Sequence, residues 1–210
     1  MQEEQQIKIA DDLAEQGFSI LPQFLSVEEV EELLEVFEVH REHHRFKQAG
    51  IGMKNAYQLN EDIRRDRIKW IEPEHALEPT KRFLAKVGDI RMLLNHTLYL
   101  GIKDFEAHFA IYPPGGFYKR HLDQLRHNDH RRISFVCYMN IGWQNGDGGE
   151  LRLYLKNDNG VETNFDVEPV GGKLVLFRSD VIEHEVLPAE KERYSITGWM
   201  LDQPKELTFL

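Results

Sequence analysis

The sequence predicts an α+β chain in which N-terminal helices buttress an antiparallel sandwich or barrel, and three observations carry this. Helical periodicity is confined to the part before Gly101, and from Phe105 onward short β-rich runs alternate with Gly, Pro, Asn and Asp. The strands follow the helices and are not interleaved with them, which points away from parallel βαβ units. At 210 residues the chain is long enough for one well-cored domain and too short to make two full domains a natural reading. A single unit over 1–210 is expected, with 1–104 mainly helical support and 105–203 the β core.

The first helix is read in "EEQQIKIADDLAEQG", where helical spacing stops at Gly17, a natural C-terminal stop. The second begins at a capping box, Ser26 followed by Glu29, and continues through Val30, Leu33, Leu34 and Phe37. Its polar end carries His40, His43 and His44, which are expected on a solvated face because no acidic third ligand is placed beside them. Residues 50 to 75 read as irregular, and "EPTKRFLAKVGDIRMLLNHTLYLG" as a third helix closing near Gly101. Strands are then expected in "FEAHFAIY", "FYKRHLD", "ISFVCYMN", "ELRLYLK", "KLVLF", "EHEVL" and "RYSITGWML".

Composition narrows the function classes. A net charge of -10 argues against nonspecific nucleic-acid binding, which needs a surplus of Lys and Arg on one face. No apolar run approaches the roughly 20 residues that span a bilayer, and "MQEEQQIKIADD" lacks the basic flank and apolar core of a signal peptide. The lone Cys137 sits inside an apolar run and is expected to be a buried hydrophobe. A cytoplasmic location, with no nucleic-acid or membrane partner, is the expectation.

The chemistry concentrates in "KRHLDQLRHNDHRR", which holds two His-x-Asp pairs. On a strand, residues two apart face the same way, so such a pair can aim two ligands at one ion. His121 and Asp123 close a strand-like run, whereas His127 and Asp129 lie in a polar stretch that reads as a loop; the first pair is taken as ligands. His184, at the head of "EHEVL", supplies a third. Two histidines and one carboxylate form the facial triad that suits non-haem Fe(II) and leaves positions for a chelating cosubstrate and O₂. Arg193 shares a strand face with Ser195, Thr197 and Trp199 and would point into the barrel, where only a carboxylate-bearing ligand would satisfy it. Catalytic zinc uses similar ligands, but it leaves that arginine without a purpose.

With these residues in place the sequence resembles the Fe(II)- and 2-oxoglutarate-dependent dioxygenases. Among them it resembles the prolyl hydroxylases that act on hypoxia-inducible factor, together with their bacterial relatives. The resemblance runs over roughly residues 50 to 203 through "DIRRDRIKWIE", "YPPGGFYKRHLD", "CYMNIGW", "GGELRLY", "HEVLPA" and "RYSITGW". It implies a double-stranded β-helix, or jelly-roll, core. It implies His121, Asp123 and His184 as catalytic iron ligands, with Arg193 and Tyr138 on the distal carboxylate of 2-oxoglutarate and Tyr112 beside its chelating end. Thr197 and Trp199 match pocket-wall positions, and Arg131 an arginine at the mouth where a substrate peptide passes. Two departures stand out. His108 replaces a methionine of the animal enzymes and is expected to be a packed histidine, and with Leu210 following soon after the last strand their C-terminal helical extension is expected to be absent.

The implied activity is 4-hydroxylation of a prolyl residue in a protein loop, with O₂ consumed, 2-oxoglutarate converted to succinate and CO₂, and ascorbate as a stimulant. By family analogy elongation factor Tu is the candidate substrate. The segment "QAGIGMKNAYQLNEDIRR" matches a lid over the peptide. Alternatives are oxygenation of another protein residue or a small molecule, a zinc-dependent hydrolase, and a noncatalytic iron and 2-oxoglutarate sensor. In this reading the His127–Asp129 stretch is a candidate for substrate contact and not for metal.

Overall fold

Three helices and eleven strands make up a computed structural model that describes residues 3–50, 60–124, 130–157 and 159–204. Helix α1 (Glu3–Glu15) buries Ile9, Ala10 and Leu13, and the chain leaves it through Gly17 at φ +80°. Helix α2 (Val27–Glu42) starts at the expected capping box. The Glu29 N–H donates to Ser26 Oγ at 3.3 Å and the Ser26 N–H donates to Glu29 Oε2 at 2.9 Å, so two otherwise unpaired donors are satisfied. Helix α3 (Glu78–Leu98) buries Phe83, Val87, Ile90 and Leu94; its C-cap Tyr99 is in the left-handed region, φ 54°, two residues before the expected stop near Gly101.

Seven strands form the major sheet in the order β1 (Phe18–Leu21), β9 (Leu174–Arg178), β6 (Arg131–Tyr138), β11 (Arg193–Leu201), β4 (Asp104–Tyr112), β3 (Arg67–Trp70) and β2 (Lys47–Gln48). Four form the minor sheet: β5 (Tyr118–His121), β10 (Glu183–Val186), β7 (Leu151–Lys156) and β8 (Glu162–Val167). Every pairing in both sheets is antiparallel. The inner faces meet in a core of Ala110, Tyr112, Val136, Tyr138, Val175 and Phe177 from the major sheet against Leu151, Leu153 and Val186 from the minor one. On its other face the major sheet packs Phe109, Phe135, Leu176 and Ile196 against the helices. Strand alternation therefore sorts each residue of β4, β6, β9 and β11 into either the interior of the jelly roll or the helical layer.

All seven expected strands and all three expected helices form, and the structure adds four strands. Strand β1 lies between the first two helices and pairs with β9, while β2 and β3 extend the same sheet out of the stretch read as irregular. The N-terminal part thus supplies sheet as well as helical support. Strand β8, "ETNFDV", is exposed at five of its six positions and carries no apolar alternation to betray it. Helix-end histidines also differ from expectation: His43 and His44 are exposed, but His40 is only 7% exposed and packs against Phe109. The position of His40 in the last turn of α2, three residues after Phe37 on the buried stripe, outweighs the polar character of its neighbours.

Candidate active site

Strands β5 and β10 bring the first two site residues together, because His121 and His184 are direct register partners in the minor sheet. Their rings lie 4.2 Å apart between centroids. Asp123, two residues beyond the end of β5, completes the group; its Oδ1 is 3.3 Å from His121 Nε2 and its Oδ2 is 3.5 Å from His184 Nε2. One ligand atom of each residue lies within 4.8 Å of the others. The outward nitrogens are tied to backbone: His121 Nδ1 is 2.7 Å from Lys119 O and His184 Nδ1 3.3 Å from Ile182 O, which orients each ring with Nε2 toward the cluster. His184 is 5% exposed and Asp123 7%, while His121 is half-buried.

Electrostatics prepares these groups for a cation. Burial pushes the His184 imidazole down to about 4, so that it is neutral with a lone pair to offer. Burial would raise the Asp123 carboxyl, but His184, His121 and Arg131 around it outweigh this and hold it well below the usual carboxylate range. A deprotonated acid and a neutral imidazole are the states in which these groups ligate metal. Three further contacts, not foreseen from the sequence, fix the group in place. Ser134 Oγ donates to Asp123 Oδ2 at 2.7 Å and is itself 2.8 Å from Ser179 Oγ. Tyr118 stacks on His121 at 3.7 Å, and Phe177 packs against His184 at 4.6 Å. Arg64, paired with the fully buried Asp66, lies over the Tyr118 ring at 4.3 Å. Ser134 had a legible signal, since alternation puts it on the same face of β6 as Tyr138; Tyr118 and Ser179 lacked one.

Deeper in the barrel, Arg193 is 1% exposed. Its Nε donates to Gly149 O at 2.8 Å and its Nη1 to Ser195 Oγ at 3.4 Å, but Nη2 has no hydrogen-bond partner among the described residues. No carboxylate of the described chain forms an ion pair with it. The guanidinium lies 4.9 Å from the centre of the Tyr112 ring and 5.0 Å from that of Tyr138, whose own hydroxyl is buried and unpartnered. Gly149, at φ +69°, makes this possible: a Cβ there would stand 3.0 Å from Arg193 Cδ and 3.0 Å from Ala189 Cβ. A buried cation with a spare donor next to a spare hydroxyl is a receptor for a carboxylate.

Residues 107–201 match the model of the 2OG-Fe(II) oxygenase superfamily. A solved Pseudomonas putida prolyl-4-hydroxylase is 42% identical, with a TM-score of 0.83 over 94% of this chain and 99% of that one. The chain belongs to the 2OG-Fe(II) oxygenase superfamily. A Trichoplax adhaerens prolyl hydroxylase, solved with a fragment of the oxygen degradation domain of hypoxia-inducible factor, shares 29% identity and a TM-score of 0.85 over 95% of this chain and 90% of that one. Egl nine homolog 1 of Homo sapiens is 34% identical over 149 residues, which are 68% of this chain and 34% of the human protein. The chain thus spans about a third of that curated relative.

In this oxygenase the residues present fit the cofactors of the family, Fe(II), 2-oxoglutarate and O₂. The His-Asp-His donor set suits Fe(II), and the unpartnered Arg193 Nη2 and Tyr138 Oη suit a distal carboxylate. Thr197 and Trp199 lie with Arg193 on the inward face of β11, Thr197 Oγ1 being 3.5 Å from Ser195 Oγ. Arg131 sits between two of the site's elements: Nη1 donates to Asp123 O at 3.3 Å, Nη2 to Glu106 Oε1 at 3.0 Å, and the guanidinium covers the Trp199 ring at 3.6 Å. His108 is a packed histidine, as expected. It is 3% exposed between Trp70 and Trp199, and burial pushes its pKa down to about 3. Residues 51–59 of the expected lid, and His127 with Asp129, lie outside the described residues.

Proposed function

We propose that this oxygenase hydroxylates a prolyl residue, at the 4-position, in a loop of a protein substrate. The observation that carries the cosubstrate half of this reading is the pair of unpartnered buried atoms, Arg193 Nη2 and Tyr138 Oη, on the inner face opposite the His-Asp-His group. The prolyl half is supported by the likeness to prolyl hydroxylases from Pseudomonas putida and Trichoplax adhaerens.

In this reading His121, Asp123 and His184 would hold the iron, and Arg193 and Tyr138 would take the far carboxylate of 2-oxoglutarate. Tyr112 would line the space toward its chelating end, with Thr197 and Trp199 as walls. Bound together, iron and 2-oxoglutarate supply an oxidant able to hydroxylate an unactivated C–H. The chain's residues orient and exclude. Ser134 keeps the Asp123 carboxylate in place, the backbone carbonyls of Lys119 and Ile182 set the imidazole tautomers, and the Tyr112, Tyr138 and Phe177 rings keep the interior apolar. Arg131, half-buried between the Asp123 carbonyl and Trp199, would form the rim where the peptide enters. Elongation factor Tu is the protein to try first, and a cytoplasmic location is proposed with it.

The test is an anaerobic complex of the protein with Fe(II) and 2-oxoglutarate, exposed to oxygen with and without prolyl peptides of elongation factor Tu. Succinate should rise with a substrate peptide, and mass spectrometry should find one added oxygen on proline. Succinate without modified proline would move the activity to another substrate. No succinate with iron verifiably bound would exclude the oxygenase, leaving the hydrolase and sensor alternatives.

A further inference from the structure

Behind the major sheet, on the face away from the iron ligands, lies a cavity of about 430 Å³ whose charge is out of character for this chain. Arg45, Lys47, Lys69 and His75 line it, with Glu72 as its only carboxylate among the described residues. The protein as a whole carries a net charge of -10, so this concentration of cations is local. None of Arg45, Lys47 and Lys69 forms an ion pair with a carboxylate among the described residues, and Lys69 Nζ donates instead to the backbone carbonyl of Trp70 at 2.5 Å. Arg45 Nη1 lies 3.4 Å from His40 Nδ1, and burial, then Lys69 and Arg45, push the His40 imidazole at the cavity wall down to about 4.

Helix α3 begins at this cavity. Its N-cap, Leu77, has no side chain able to accept and Pro79 brings no N–H, so the N–H groups of Glu78 and Thr80 are the uncapped donors of the first turn, and Ala76 and Thr80 line the cavity. Thr80 is 1% exposed, yet its hydroxyl has no hydrogen-bond partner among the described residues. A buried hydroxyl left unpaired is costly, and two helix-end N–H groups, a hydroxyl and the ammonium and guanidinium groups lining the same cavity are together suited to an oxyanion. Ile71, Ala76 and Phe109 add an apolar wall for an organic body, and the volume exceeds what a bare phosphate fills.

We propose that this cavity binds a small phosphomonoester, with the phosphate seated at the N-terminus of α3 against Thr80, Lys69 and Arg45. Phe109 at its wall and the inward His108 are consecutive residues of β4, so the bound anion would sit directly behind the barrel wall.

Calorimetric titration of the full chain with inorganic phosphate and with glycerol 3-phosphate tests this. Saturable one-to-one binding is expected, and it should persist in Arg193→Ala, which separates this cavity from the 2-oxoglutarate pocket and makes the result independent of turnover. Lys69→Gln combined with Arg45→Gln should weaken it at least tenfold, and Thr80→Val, which changes no charge, severalfold. No saturable uptake of either probe, equal affinity in the double variant, unchanged affinity in Thr80→Val, or loss of binding in Arg193→Ala would each overturn the assignment. Citrate binding more tightly than either phosphate probe would also overturn it.

Discussion

Arg193 sits where a guanidinium is expensive to keep, buried and with one nitrogen unpartnered. Removing a charge-assisted contact of this kind costs a ligand on the order of 2–3 kcal/mol, or about 30- to 150-fold in affinity. Arg193→Ala should therefore weaken 2-oxoglutarate by that factor while Fe(II) affinity changes little; anaerobic titrations of each read the split, and equal losses would make Arg193 a structural residue. Ser134→Ala removes the hydroxyl that donates to Asp123 at 2.7 Å and should cost about tenfold in metal affinity without unfolding the chain. At this scale the sequence was most informative about residues whose type is chemically rare in a strand interior. His121, His184 and Arg193 announced themselves, and Asp123 did so through its spacing. Tyr118 and Ser179 act through contacts between distant segments, and no local pattern encodes those. His40 shows the converse, since a polar flank concealed a position on the buried stripe of α2.

Strand β11 is the element on which the site depends most, pairing with β4 on one side and β6 on the other while presenting Arg193 and its companions inward. Gly198 lets it do so: a Cβ at this position would lie 2.2 Å from Glu106 O and 2.3 Å from the Phe135 ring. Because backbone and a buried aromatic cannot both move away, Gly198→Ala should destabilise by about 3 kcal/mol or more, read from the denaturant midpoint. A midpoint close to that of the wild type would show that the three strands can separate at low cost. Helices α1 to α3 and the apolar strands were legible because each has a clear period. Strands β2 and β3 were not, being short and interrupted by charge, and β8 was hidden by its polarity, which suits an exposed sheet edge.

For the whole molecule, acid and metal act on stability in opposite directions. His40 has its folded pKa depressed to about 4 from 6.5, so its contribution is fully present above 6.5 and is lost as pH falls toward 4. His40→Phe should flatten the slope of stability against pH in that window by up to about one proton, and an unchanged slope would place the acid sensitivity elsewhere. A cation that binds only the folded chain adds about 2.7 kcal/mol at a hundredfold excess over its Kd. Mn(II) should accordingly raise Tm by roughly 5–10 °C. Chelator should reverse this, and Asp123→Asn should abolish it; a Tm indifferent to metal would mean that the three ligands do not act together.

The cross-strand pairing of His121 with His184 has a consequence for folding as well as for chemistry. Sliding β5 by one residue along β10 would turn His121 to the outside of the barrel and dismantle the site at a stroke. Only the correctly aligned chain can therefore capture iron with full affinity. The metal doubles as a vernier on the minor sheet: its uptake during refolding marks the moment at which two short strands, with few apolar contacts of their own, have locked into step.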